Sequence, residues 1–227
     1  MLLSMILSFS FTHAENQESE RLVNALKTFQ GQEELKFSFR QENKNLTSGD
    51  TIQAHGIVYY QHPNQFRWNY ISTPNSIIAS DGDMVFMILP DDNHAMIGKF
   101  ENNAQFWSPI NLLTHPETIK SEFDIQMLKS PTDDSTIFRL TPKSQKMNCR
   151  YLDVRLPVHQ PVLEANLKII DLAGNENILI LENFDLKIPE QTAFIPQIPK
   201  SYLTTDFAGN PIVYEANETH GKEKKLE

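Results

Sequence analysis

The hydrophobic positions change their period once, early in the chain. Leu22, Val23, Leu26 and Phe29 recur at helical spacing while Glu18, Glu20, Arg21, Asn24 and Lys27 fill the opposite side, and Gly31 supplies a stop. This predicts one amphipathic helix. From Leu35 the period falls to two: Leu35, Phe37 and Phe39 alternate with Lys36, Ser38 and Arg40, the pattern of a half-buried strand. Strand-like runs follow at Ile52 to Tyr60, Gln65 to Ile71, Ser76 to Ser80, Met84 to Leu89, His94 to Phe100, Thr136 to Thr141, Asn148 to Leu156, Val162 to Asp171 and Asn177 to Leu186. Turn signals such as Asn43-Lys44-Asn45, Pro63-Asn64, Asp81-Gly82 and Ala173-Gly174-Asn175 separate them. The pattern describes a mainly β, meandering antiparallel sheet, curled into a barrel or folded into a sandwich. One stretch breaks it. Ser108-Pro109 opens a short helix through Leu113, and a weakly helical or irregular segment runs from Glu117 to Met127.

The run Met84-Val85-Phe86-Met87-Ile88-Leu89 is apolar on both faces, whereas a strand of a small antiparallel barrel alternates towards a wet outer face. Either the strand is packed on both sides by other elements, or it lines a greasy cavity in which Met side chains repack around differently shaped guests. Periodicity does not separate the two.

Composition narrows the setting. The 227 residues carry 20 Lys and Arg against 29 Asp and Glu, a net charge of −9, with no basic run, which argues against nucleic acid or an anionic lipid surface as main partner. Fourteen Phe and six Tyr with only eight Gly favour packed β structure over phosphate-binding glycine loops. Residues 1–14 have no charge, run apolar from Leu2 to Phe11 and end in Thr12-His13-Ala14, the outline of a signal peptide too short to span a bilayer. Residues 15–214 then form a single domain, and 215–227 a polar, disordered tail.

Catalytic patterns do not emerge. The chain has no Gly-x-Ser-x-Gly elbow, no His pair at i and i+4 and no Cys-x-x-Cys; its seven His are scattered, and Cys149 sits in a strand-like run as a small core residue. Asp81-Gly82-Asp83 and Asp91-Asp92-Asn93 lack the twelve-residue calcium rhythm and fall where hairpins turn. The expectation is a non-enzymatic protein with no metal and no cofactor.

From Gly56 to Gly82 the chain reads Gly-Ile-Val-Tyr-Tyr-Gln-His-Pro-Asn-Gln-Phe-Arg-Trp-Asn-Tyr, then Thr-Pro-Asn-Ser-Ile-Ile-Ala-Ser-Asp-Gly. This block resembles the periplasmic lipoprotein carrier family, LolA. Phe37-Ser38-Phe39-Arg40-Gln41 is similar to that family's Phe-x-Gln strand, Ser108-Pro109-Ile110-Asn111-Leu112-Leu113 to its short helix, and Phe138-Arg139-Leu140-Thr141-Pro142-Lys143 to its Leu-Thr-Pro-Lys strand. Thr192-Ala193-Phe194-Ile195-Pro196 matches the closing segment loosely.

The resemblance implies an unclosed antiparallel β-barrel of about ten or eleven strands, with short helices forming a lid over a hydrophobic cavity. It implies a monomeric periplasmic chaperone for triacylated outer-membrane lipoproteins, which takes them from an inner-membrane lipoprotein-releasing ABC transporter and delivers them to an outer-membrane receptor. Leu26, Ile110, Leu112 and Leu113 correspond to the inner face of the lid, and Phe66 and Trp68 to a cavity-facing strand; Met84 and Phe86 join them on the strength of the apolar run. The family commonly places an Arg before the Pro at the strand end, where it latches the lid. Here that residue is His62, with fewer donors and a titratable ring. A carrier of another amphiphile, such as a glycolipid or hydrophobic polyene, and a lipoprotein-sensing regulatory β module are the alternatives.

Overall fold

The computed structural model describes residues 17–72, 74–100, 109–130, 134–144, 148–158, 164–189 and 194–214. The proposed leader and the polar tail lie outside them. A helix, α1, covers residues 17–26 and turns Ser19, Leu22 and Leu26 to the interior. It ends three residues before the sequence pattern does, but the following turn still carries Phe29 into the core, and Gly31 closes it with φ at 71°.

The strands are β1 (Glu34–Lys44), β2 (Thr51–Gln61), β3 (Gln65–Tyr70), β4 (Ser76–Asp81), β5 (Met84–Leu89), β6 (His94–Lys99), β7 (Phe123–Leu128), β8 (Ser135–Pro142), β9 (Cys149–Pro157), β10 (Glu164–Asp171), β11 (Glu176–Asp185) and β12 (Leu203–Thr205). Before β7 come α2 (Pro109–Thr114), a 3-10 turn at Pro116–Thr118 and α3 (Ile119–Glu122). All twelve strands form one sheet in the order β12-β6-β5-β4-β3-β2-β1-β11-β10-β9-β8-β7. Every pairing is antiparallel except β12 on β6. The first and last strands in that order are not paired to each other, so the sheet is unclosed.

Two strands exceed the sequence-based expectation. Phe123–Leu128 is a strand rather than an irregular segment, because Phe123 and Ile125 alternate inward with exposed Asp124 and Gln126. The three-residue β12 forms through parallel pairing with β6, a contact that no local pattern announces.

Register separates the faces. Phe37, Val58, Trp68, Ile78 and Met87 stand opposite one another across β1 to β5, and Leu35, Tyr60, Phe66, Ser80 and Val85 form the next row of that face. On the other half of the sheet, Met127, Phe138, Val154, Leu167 and Leu179 make the corresponding row. Residues of both halves belong to one apolar cluster together with Leu22, Leu26 and the α2 leucines, so the sheet wraps around a shared interior. A bulge between Lys36 and Ser38 of β1, opposite Asn183 at φ 58°, lets Phe184 turn inward. Its ring lies 4.7 Å from Phe29 and 5.3 Å from Phe37.

The outer face is divided. Over β8 to β10 it is polar: Arg139 forks onto both oxygens of Asp153 at 2.7 Å, and Lys168 pairs with Glu176. Over β4 to β6 it is apolar and covered by the chain's own C-terminal passage. Phe86, Ile88, Ala95 and Ile97 pack there with Ile195, Ile198, Tyr202, Ile212 and Tyr214. Two turns share one five-residue solution. In Asp171-Leu172-Ala173-Gly174-Asn175 and Asp206-Phe207-Ala208-Gly209-Asn210, the Asp carboxylate accepts from the backbone and side chain of the Asn, and the Gly takes φ of 94° and 87°.

Candidate functional site

The interior is built from three kinds of residue. The strands supply aromatic rings: Trp68 lies 6.0 Å from Phe37 and 5.0 Å from Phe39, and Phe39 packs edge-on to Tyr70 at 4.9 Å. Burial pushes the Tyr70 hydroxyl up to about 12. The second half of the sheet supplies aliphatics such as Leu140, Leu152 and Leu167.

The third contribution comes from the short helices laid across the mouth. Pro109 at the head of α2 has the fixed φ a first turn needs. The turn that follows sends Ile110, Leu112 and Leu113 inward, each 0–1% exposed. Asn111 stays half-exposed and uses its carbonyl to accept from the His115 N–H at 2.9 Å. Ile119 of α3 is also fully buried.

Polar contacts lie around the rim of these helices. Thr114 Oγ1 donates to the Ile110 carbonyl, Gln30 reaches Glu117 at 3.3 Å, and Lys143 donates to the Lys120 carbonyl at 2.8 Å. Glu18 of α1 accepts the Met127 N–H at 2.9 Å. The Tyr60 hydroxyl donates to the Pro63 carbonyl at 3.2 Å; burial raises its pKa and a hydrogen bond with Thr114 opposes that rise. The cover thus presents a buried apolar face, through Leu26, Ile110, Leu112, Leu113 and Ile119, and a polar rim.

Six of the eight apolar residues nominated from sequence meet in this one cluster: Leu26, Phe66, Trp68, Ile110, Leu112 and Leu113. Met84 and Phe86 do not. Phe86 stands opposite Ala79 and Ile97, on the face of Arg67, and its ring meets Tyr214 edge-on at 5.7 Å. Met84 shares its parity and packs with the same outer cluster. The run Met84 to Leu89 is thus apolar on both faces because two layers cover it. Val85 faces the interior side, and the outer side meets the C-terminal passage.

Phe37, Phe39, Val58 and Tyr60 belong to the lining but were not nominated. Their alternation was visible, and only the register that aligns them with Trp68 and Phe66 was lacking. His62 lies in the β2–β3 turn, exposed, with its ring centroid 6.3 Å from that of His115 and the planes 26° apart. Among the described residues no group of three or more His, Cys, Asp or Glu could hold a metal ion, and no helix is long and apolar enough to cross a membrane.

A single sheet wrapped without closure around an apolar interior, with short helices over its mouth, defines a lidded, open β-barrel. Residues 30–195 match the sequence model of the outer membrane lipoprotein carrier protein LolA family, and the chain belongs to that family. An outer-membrane lipoprotein carrier protein of Francisella philomiragia is 26% identical over 214 residues, covering 87% of this chain and 97% of the relative. One of Xanthomonas oryzae pv. oryzae is 29% identical over 130 residues, 57% of this chain and 59% of the relative. Among solved structures, an uncharacterized conserved protein from Thermus thermophilus shares the fold, with a TM-score of 0.51 at 11% identity over 83% of this chain and 98% of that one.

Proposed function

We propose that this member of the carrier family holds the acyl chains of lipoproteins in the interior described above and moves them through the periplasm. It receives them from an inner-membrane ABC transporter and yields them to an outer-membrane receptor. The observation that carries the reading is the lid. Ile110, Leu112 and Leu113 are fully buried on a six-residue helix, so the empty protein fills its own interior with side chains that a guest can replace.

The energetics require such an exchange. Each buried CH₂ contributes about 0.8 kcal/mol, so one acyl chain of about sixteen carbons brings on the order of 10 kcal/mol. A rigid, empty cavity would trap that cargo. A lid that competes for the same apolar contacts subtracts its own packing from the net affinity and so permits release. No bond is made or broken in this scheme. His62, beside the end of α2, takes the place of the latch.

The test is co-expression of the secreted protein with a native outer-membrane lipoprotein, purification from the periplasm without detergent, and intact-mass analysis of what stays bound. A one-to-one complex with a triacylated lipoprotein supports the reading. A lipid or glycolipid adduct without protein cargo would transfer the function to another amphiphile, since apolar contacts of this kind do not specify a headgroup.

A further inference from the structure

The apolar interior accounts for the lid's leucines but not for the two imidazoles at its edge. His62 is fixed by its main chain: its N–H donates to the Glu33 carbonyl at 2.8 Å, just beyond the end of β2. His115 directly follows α2, tied by its own N–H to Asn111. Thr114 Oγ1 lies 2.9 Å from both the Ile110 carbonyl and His115 Nδ1, so the ring is tied to the last turn of α2 by side chain as well as main chain. The groups around the pair are Glu33 ahead of β1, Glu117 two residues past His115 and held by Gln30, and the Tyr60 hydroxyl next to Thr114.

We infer that His62 and His115 form a proton-operated catch on the lid. With at most one ring charged, the two imidazoles lie side by side and join the end of α2 to the β2–β3 turn. With both charged, two cations about 6 Å apart drive the end of α2 away from the turn and open the apolar interior. His62 is exposed and His115 half-buried, so protons reach both rings and solvent screens the effect. Over 6.3 Å, the repulsion at dielectric constants between water and half that value shifts the open-to-closed ratio by roughly three- to tenfold. The open state binds more protons than the closed one. Acidification accordingly favours opening, and cargo that selects the open state gains affinity as pH falls.

The catch itself stands apart from cargo identity; its use in cargo exchange rests on the carrier reading. The experiment measures amide hydrogen exchange of residues 110–115 in the full, empty protein between about pH 7.5 and about pH 5, the range in which imidazoles titrate, corrected for the intrinsic rate. Uptake of the uncharged probe N-phenyl-1-naphthylamine is followed in parallel. In the unsubstituted protein, protection should fall and probe uptake rise by roughly three- to tenfold on acidification. His62→Phe, at an exposed turn that tolerates it, and His115→Phe should each be flat in both readouts. If His115→Phe misfolds, His62→Phe and His62→Gln carry the test alone. Protection that ignores pH in the unsubstituted protein, or the same pH dependence in the His62 variants, would overturn the catch. Failure to capture lipoprotein at any pH while the catch responds would instead overturn the carrier reading and leave the catch in place.

Discussion

Leu113→Asp and Phe86→Ala distinguish the two apolar faces of the sheet by experiment. Both side chains are buried to within 1% and both look like core. Phe86 belongs to the outer layer with Tyr214, and its truncation leaves a cavity costing about 3–5 kcal/mol, of which about 1 is the aromatic pair. At roughly 2–4 °C per kcal/mol for a chain of this size, the melting temperature should drop by about 6–20 °C. The inner lining is untouched, so lipoprotein capture below the transition should stay within about threefold of the unsubstituted protein, well under the tenfold that 1.4 kcal/mol represents. Leu113→Asp acts on the other side. A carboxylate cannot stay in the interior without a penalty of several kcal/mol, so α2 swings out while the sheet ladder keeps its bonds. In the loaded state the same carboxylate meets acyl chains, and a loss of about 3–5 kcal/mol weakens capture by about 10²–10⁴-fold. Thermal melts by circular dichroism and capture of a triacylated lipoprotein without detergent supply the two axes. Loss of capture by natively folded Phe86→Ala, or retention of capture by Leu113→Asp, would refute the division into faces.

The remaining predictions concern the frame. Gly56 sits where an added Cβ would lie 1.9 Å from the Asn69 carbonyl oxygen and 2.8 Å from Phe39 Cε1, so Gly56→Ala must push backbone aside; it should lower stability by about 1–3 kcal/mol, read as an earlier urea midpoint with unchanged slope. The Tyr70 hydroxyl, raised by burial to about 12, binds its proton more tightly in the folded state than in the unfolded one. Stability should therefore be intact below about pH 10 and fall by about 2–3 kcal/mol as pH rises to about 12, and Tyr70→Phe should abolish that component in alkaline unfolding curves. Arg139 forks onto Asp153 and lies 3.8 Å over the Tyr151 ring, yet a third of its side chain is exposed. A double-mutant cycle of Arg139→Ala with Asp153→Asn should give a coupling of about 1 kcal/mol, and a value near zero would contradict the fork.

Most of the sheet was legible because alternation is local. Leu35, Phe37 and Phe39 declare a strand, and the motif from Gly56 to Gly82 places the next three correctly. β7 was also within reach: Phe123, Ile125 and Met127 alternate with Asp124 and Gln126, directly after the short helix that the segment from Glu117 does contain. What was out of reach is non-local. The sequence left open whether the second face of β5 meets another layer or a cavity, and the answer depends on Ile195, Ile198 and Tyr214, more than a hundred residues downstream. The bulge that brings Phe184 to Phe37 depends on a register shift between β1 and β11, again invisible to a window along the chain. His62 was singled out by its position in a motif. That its neighbour would be a second imidazole follows only from where the end of α2 comes to rest.

An unclosed sheet carries two edges, and exposed edges invite pairing with other chains. Here each edge is occupied in a different way. β12 is capped by the returning chain, with the Ile212 N–H donating to the Thr204 carbonyl at 3.0 Å and the Thr204 hydroxyl to the Ile212 carbonyl. β7 is approached by α1, whose Glu18 takes the Met127 N–H. The first cap is continuous with the outer apolar cluster and stiffens β4 to β6 from behind. The second is part of the cover and shares its interior contacts through Leu22 and Leu26. One edge strand is thus locked to a second core, and the other has a helix for a neighbour. On the carrier reading, lifting the helices would expose the inner lining and release the β7 edge together, while Phe86 and its neighbours would hold the far wall in register.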